Sequence, residues 1–206
     1  MLLLLLMLLL LLLLRRLLLG LPVSLLKSMS LPIDAIISPG WARSLKRFAG
    51  GTTVHYWLNT KEQKLGNGIK ADPISAAEAE FIRETFKRVD ALTGLSLVEK
   101  QRRGPSEIDF YKVPRYKSRS LIGQTTRRKS WFEITWKDRN GKDMNGSEKS
   151  TIVHEIGHAL GLDHPYQRPW SPRYTTKDTI MSYNETSNTN FTKTDLTALQ
   201  SLWGAA

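Results

Sequence analysis

Between Thr52 and Leu58 the chain alternates among β-forming residues, the pattern of a strand with one buried face. Similar short β-rich runs recur at Leu95 to Val98, Ile108 to Tyr111 and Trp131 to Trp136. Between the first two the period changes: Asp72-Pro73 breaks the chain, Ser75 and Glu78 form a capping box, and Ile82, Phe86 and Val89 fall at i, i+4 and i+7. This predicts a helix closed by Gly94. The Gly/Asn/Asp-rich segment from Asp138 to Gly146 reads as a loop leading into a second helix. A third helix is predicted over Asp195 to Gly204, where Thr192 and Asp195 form another capping box and Leu196, Leu199 and Trp203 share one face. No internal repeat is visible. Strand, helix, strands, helix predicts an α+β (α/β-like) domain built on a mixed, twisted sheet.

A different pattern fills the start of the chain. The first 26 residues contain 18 leucines, split by Arg15-Arg16 into Leu2–Leu14 and Leu17–Leu26. The first run is too short for a full membrane span. With translation from Met7, the arginines would lie near a signal-peptide n-region and Leu17–Leu26 would be its apolar segment. Residues 1–39 are therefore expected to be a signal peptide or signal anchor plus a short linker, and residues 40–206 the functional domain. Secretion is the leading expectation. The alternative is a membrane-tethered protein held by an uncleaved anchor, with no other membrane contact.

At 206 residues, the chain has room for one domain of catalytic size beyond that segment, not for two large ones. Its net charge of +11 is concentrated, because residues 100–129 carry ten Lys or Arg against Glu107 and Asp109. That segment could meet an anionic surface; it has no motif of the common nucleic-acid-binding modules, so no specific nucleic acid is expected. The absence of cysteine excludes disulfides, thiolate metal ligands and a cysteine nucleophile.

The chemistry lies in the second helix, in Thr151-Ile152-Val153-His154-Glu155-Ile156-Gly157-His158-Ala159-Leu160-Gly161-Leu162-Asp163-His164-Pro165. Histidines four apart sit about 40° apart around a helix axis, so His154 and His158 can grip one metal ion, with zinc the natural occupant. Glu155 is placed on the flank of that face, where it can act as general base toward a metal-activated water. Gly161 can take a positive φ and end the helix in a sharp turn that returns His164 to the metal. Three neutral imidazoles and one open position make a catalytic site and not a closed structural one.

Beyond it comes Asp178-Thr179-Ile180-Met181-Ser182-Tyr183. The extended histidine motif followed by a methionine turn resembles the metzincin zinc endopeptidases. Pro165 after the third histidine and Tyr183 two residues past Met181 are more similar to serralysins than to matrixins, and the closing helix is similar to the one that ends both catalytic domains. The resemblance spans roughly residues 40–206 and is specific after Ser150. It implies a metzincin-like fold and a zinc endopeptidase, with zinc on His154, His158 and His164 and Glu155 as base and then proton donor. Met181 becomes a structural floor, and Tyr183 a hydrogen-bond donor to the oxyanion. An extended substrate would lie antiparallel to an edge strand, for which Trp131 to Trp136 is the candidate.

The glycine-rich calcium repeats of serralysins are missing, so a bare catalytic domain is expected, without cysteine-switch latency or a folded prodomain. His55 reads as a strand residue and not a ligand. Calcium has weak support: Asp138, Asn140, Asp143 and Asn145 offer oxygens, but Lys142 stands where an EF-hand needs Asp or Asn. Asn145, Asn184 and Asn190 open glycosylation triplets. The competing function is a secreted or membrane-tethered basic binding module for anionic polymers, with a structural or vestigial zinc site. Intact Glu155 argues against it, since that carboxylate contributes nothing to zinc ligation.

Overall fold

The computed structural model describes residues 30–139 and 144–206; the leucine-rich start, Asn140 and Asp143 lie outside the described residues. A compact unit runs from Leu31 to Ala206. Residues 31–39, expected to precede the functional domain, are therefore part of the folded body, with Leu31 and Ile36 buried in its core. In chain order its elements are α1 (Pro39–Ala49), β1 (Thr53–Leu58), β2 (Gln63–Lys64), β3 (Lys70–Ala71), α2 (Ala76–Asp90), β4 (Ser96–Lys100), β5 (Ile108–Val113), β6 (Gly123–Arg127), β7 (Phe132–Lys137), α3 (Gly146–Ala159) and α4 (Lys193–Trp203).

The predicted strands and helices form within a few residues of their expected limits, and the capping boxes at Ser75/Glu78 and Thr192/Asp195 are both made. One stop differs. α2 ends at Asp90, before Gly94, whose N–H donates to Gly204 O and where a Cβ would come 2.5 Å from the main-chain oxygen of Trp203. Close packing of two backbones, and not a helix cap, requires that glycine.

Four elements go beyond the sequence expectation: the short antiparallel pair β2 and β3, and α1 and β6. α1 starts at Pro39, where the missing N–H costs nothing because a first-turn N–H has no intrahelical partner. Its Trp41, Leu45 and Phe48 repeat at helical spacing, and both aromatic rings pack 5.2 Å from Phe132. β6 reads Gly-Gln-Thr-Thr-Arg, with no large apolar side chain to betray a period of two.

The main sheet is mixed, in the order β4-β1-β5-β7-β6, with β6 alone antiparallel to its neighbour. This corrects the assignment of the edge. Trp131 to Trp136 corresponds to β7, an interior strand flanked by β5 and β6, and the antiparallel edge is β6. Alternation along the strands sorts the side chains. Val54, Tyr56, Ile108, Phe110, Phe132, Ile134 and Trp136 join residues of all four helices in one core, while Trp57, Tyr111 and Val113 join Leu65, Ala71 and Tyr116 on the other face. The helices thus cover one side of the sheet, and α3 crosses it beside β7 and β6.

The basic segment is not uniformly a surface feature. Lys112 is buried on β5, where its ammonium bridges Glu78 of α2 at 3.1 Å and Asp138 at 3.5 Å. Arg128 pairs with Glu133 at 2.6 Å. Asp138 and Asn145, two of the suggested calcium donors, serve here as the partner of Lys112 and as the N-cap of α3. Among the described residues no helix is long and apolar enough to cross a membrane.

Candidate metal centre

α3 begins at a capping box between Asn145 and Glu148, and from Ser150 to Ala159 every residue is buried. A helix apolar on almost all sides belongs inside a fold, so the polar residues it carries there need partners. His154 donates from Nδ1 to the carbonyl of Ile180 at 2.8 Å, and His158 from Nδ1 to the carbonyl of Leu162 at 3.1 Å. A carbonyl only accepts, so each Nδ1 carries the hydrogen and each Nε2 keeps a lone pair.

The turn after α3 brings in the third imidazole. Gly161 adopts φ +107°, a conformation that suits glycine, and a Cβ there would meet Ala42 at 2.9 Å and Leu202 at 3.0 Å. The N-terminal segment clamps this turn, with Ser38 donating to Gly161 O at 2.8 Å and Asp163 N donating to Ile36 O at 2.7 Å. Asp163 then holds its neighbour: its Oδ1 accepts from His164 N at 2.8 Å and lies 3.4 Å from His164 Nδ1.

The three histidines converge as the sequence predicts, their ligand nitrogens all within 4.8 Å of one another. The Nε2 atoms of His154 and His164 are buried and have no hydrogen-bond partner among the described residues. Burial is the main cause that lowers His154 well below the ordinary histidine range and His158 to about 4, with the neighbouring imidazoles adding to it, so both are neutral at pH 7. Two neutral imidazoles fixed through Nδ1 and a third held beside Asp163, with ligand nitrogens gathered within 4.8 Å, fit a zinc ion. Burial raises the Asp163 carboxyl, but the hydrogen bonds with His164 outweigh it and leave the group low and ionised.

Glu155 lies beside this cluster. Burial pushes its carboxyl up to about 7, against two hydrogen bonds with Thr125. Thr125 Oγ1 is 2.7 Å from Glu155 Oε2 and 2.8 Å from the main-chain oxygen of Glu155. Tyr183 stands over the other side, its ring centroid 4.8 Å from that of His164 and 5.3 Å from that of His154. The ring is partly exposed and packs edge-on against exposed Trp170 at 5.2 Å. Burial, then the nearby Glu155, raise its phenol, which therefore stays protonated at neutral pH. His55 is not in the cluster; its Nδ1 lies 3.1 Å from Glu107.

Met181 is fully buried, and its sulfur lies 2.5 Å from where a Cβ on Gly157 would be. The methionine turn is tied to α4 by Asp195, which accepts from Ile180 N at 3.0 Å and from Thr179 Oγ1 at 2.5 Å. The sequence reading assigned no role to Gly123, Thr125 or Gly157 and saw Asp195 only as a cap. A glycine inside a buried helix was the available signal for Gly157, since that residue costs ~1 kcal/mol relative to Ala unless packing requires it. Thr125 and Gly123 left none, because β6 itself was missed.

Residues 130–204 match the family model of the matrixins, described as Matrixin. This match supports a metzincin-type zinc metallopeptidase domain, and it takes in the three histidines, Glu155, Met181 and Tyr183. The curated proteins contain no match. Among solved structures, a chain of the "GM1 bound form of the ECX AB5 holotoxin" aligns with a TM-score of 0.53 at 14% identity, covering 85% of this chain and 91% of that one. That likeness is one of fold.

The contact between Gly157 and Met181 gives a first prediction. Gly157→Ala should strain the floor of the site by ~1–3 kcal/mol and lower the thermal midpoint by ~2–10 °C, with weaker zinc retention. The effects of Gly157→Ala and Met181→Ala should then combine less than additively, because the second substitution removes the atom the new methyl meets. Additive losses in thermal melts would contradict this account.

Proposed function

We propose that the chain is a zinc endopeptidase that cleaves extended polypeptides. The observation that carries this reading is the pair of buried Nε2 atoms, on His154 and His164, that have no hydrogen-bond partner among the described residues and lie in a three-histidine cluster beside the Glu155 carboxylate. His154, His158 and His164 would hold the ion, and when bound it would supply a Lewis acid for the scissile carbonyl and lower the pKa of a water. Glu155 takes the proton of the attacking water and passes it to the leaving nitrogen. Tyr183, protonated and partly exposed beside His164, donates to the developing oxyanion, the serralysin-like feature of the site.

β6 offers the substrate its unpaired edge, since β7 occupies only one of its sides. Main-chain pairing there would hold an extended peptide whatever its side chains. Next to Glu155 and His154 opens a cavity of about 440 Å³, walled by Leu121, Ile122, Ile180 and Tyr183 among others. An apolar side chain flanking the scissile bond fits it. The leucine-rich start favours export, and the substrates would then be secreted or environmental proteins.

The test is cleavage of an unfolded protein such as casein by the full-length chain, with zinc content measured. Chelation should stop cleavage, and added zinc should restore it. Cleavage that persists in the metal-free protein would refute the proposal.

A further inference from the structure

A glutamate in mid-helix has three rotatable bonds before its carboxylate, and nothing in the histidine motif fixes them. Among the described residues the Glu155 carboxylate accepts a hydrogen bond only from Thr125. Thr125 comes from a different element, the edge strand β6, where the ladder sets it opposite Ile134 of β7. Its position is thus fixed by sheet register and not by a loop, and its β-branched side chain is stiff at χ1. Two residues earlier on the same face of β6 is Gly123, where a Cβ would lie 2.7 Å from Glu155 Oε1 and would also run into Thr151. One face of the strand therefore presents first a gap and then a hydroxyl to the same side chain.

We propose that Thr125 is the positioning residue of Glu155, holding its carboxylate at the angle that the proton transfer requires. This inference rests on the peptidase reading of the site. The hydroxyl lies within hydrogen-bond reach of the glutamate at both ends, 2.7 Å from Oε2 and 2.8 Å from its main-chain oxygen, and its single hydrogen goes to one of them at a time. With one hydrogen and two lone pairs it can donate to the ionised carboxylate. When Glu155 carries the proton, the hydroxyl can accept from it and donate its own hydrogen to the main-chain oxygen. The contact therefore holds in both states through which the general base passes.

Thr125→Val keeps the shape, the β-branching and the main-chain N–H and removes the hydrogen bonds of the hydroxyl, whereas Thr125→Ser keeps a hydroxyl. Steady-state kinetics of the full-length zinc-loaded chain should show kcat lowered ~10- to 100-fold in Thr125→Val with KM within ~2-fold, and kcat largely restored in Thr125→Ser. Zinc content and thermal midpoint identify a variant that has failed to fold, in which case Thr125→Ala replaces Thr125→Val. A second readout needs neither metal nor turnover. In metal-free protein labelled with 13Cδ-glutamate, the resonance deleted by Glu155→Gln should move in Thr125→Val and stay in place in Thr125→Ser. Unchanged kcat, a change confined to KM, or an unmoved resonance would overturn the assignment. If the wild type binds zinc and cleaves nothing, the peptidase reading fails, and the resonance alone decides whether Thr125 holds Glu155.

Discussion

Glu155→Gln is expected to lower cleavage by ~10²- to 10⁴-fold while zinc content stays near that of the wild type. The side chain is nearly isosteric, and its amide can still hydrogen-bond with Thr125 Oγ1, now 2.7 Å from Oε2. The three imidazoles keep their own anchors on Ile180, Leu162 and Asp163, none of which involves Glu155. What disappears is the one group placed to take a proton. Burial raises the wild-type carboxyl because ionisation there is unfavourable, so a neutral amide should melt at the same temperature or higher. Loss of activity without loss of stability or metal separates a chemical role from a structural one. The measurement is kcat/KM on a quenched peptide beside zinc analysis and a thermal melt; activity within tenfold of the wild type would remove Glu155 from the mechanism.

The site was legible in the sequence to the extent that it lies on one local element. His154, Glu155 and His158 follow from helical geometry, and Gly161 marks the turn that returns His164. The rest depends on contacts between segments distant along the chain. Thr125 reaches Glu155 across 30 positions of sequence, and Asp195 reaches Ile180 across 15. Neither spacing leaves a periodic trace. The same limit explains the misplaced edge: β7 carries Phe132, Ile134 and Trp136, the strong alternation of a strand, and that strength reflects its interior position. The actual edge presents a glycine and a threonine to the active helix, because room for Glu155 matters there more than apolar burial. Weak patterning and proximity to the chemistry thus share one cause.

Asp195→Ala should be the most damaging change outside the histidine cluster. The Asp195 side chain is fully buried at the start of α4, and it accepts from Thr179 Oγ1, from Ile180 N at 3.0 Å, from Thr192 N at 2.7 Å and from Thr192 Oγ1 at 2.8 Å. Burial raises its carboxyl despite these donors. Alanine would leave the buried amide of Ile180 and hydroxyl of Thr179 without their acceptor and remove the Asp195 half of the α4 capping box, a loss of ~3–5 kcal/mol. In a chain of this size that lowers the thermal midpoint by on the order of 10 °C. The effect should also reach the metal. Ile180 uses its N–H on Asp195 and its carbonyl on His154 Nδ1, so freeing one end of that residue loosens the imidazole held by the other. Zinc affinity is expected to fall ~10- to 100-fold, the usual cost of losing an outer-shell partner. Asp178→Ala serves as the control, since Asp178 is exposed on the same turn and, among the described residues, its side chain hydrogen-bonds only with Thr175. It should leave zinc affinity unchanged. If Asp195→Ala melts and binds zinc like the wild type, the methionine turn is held by packing around Met181 alone, and α4 has no part in orienting His154.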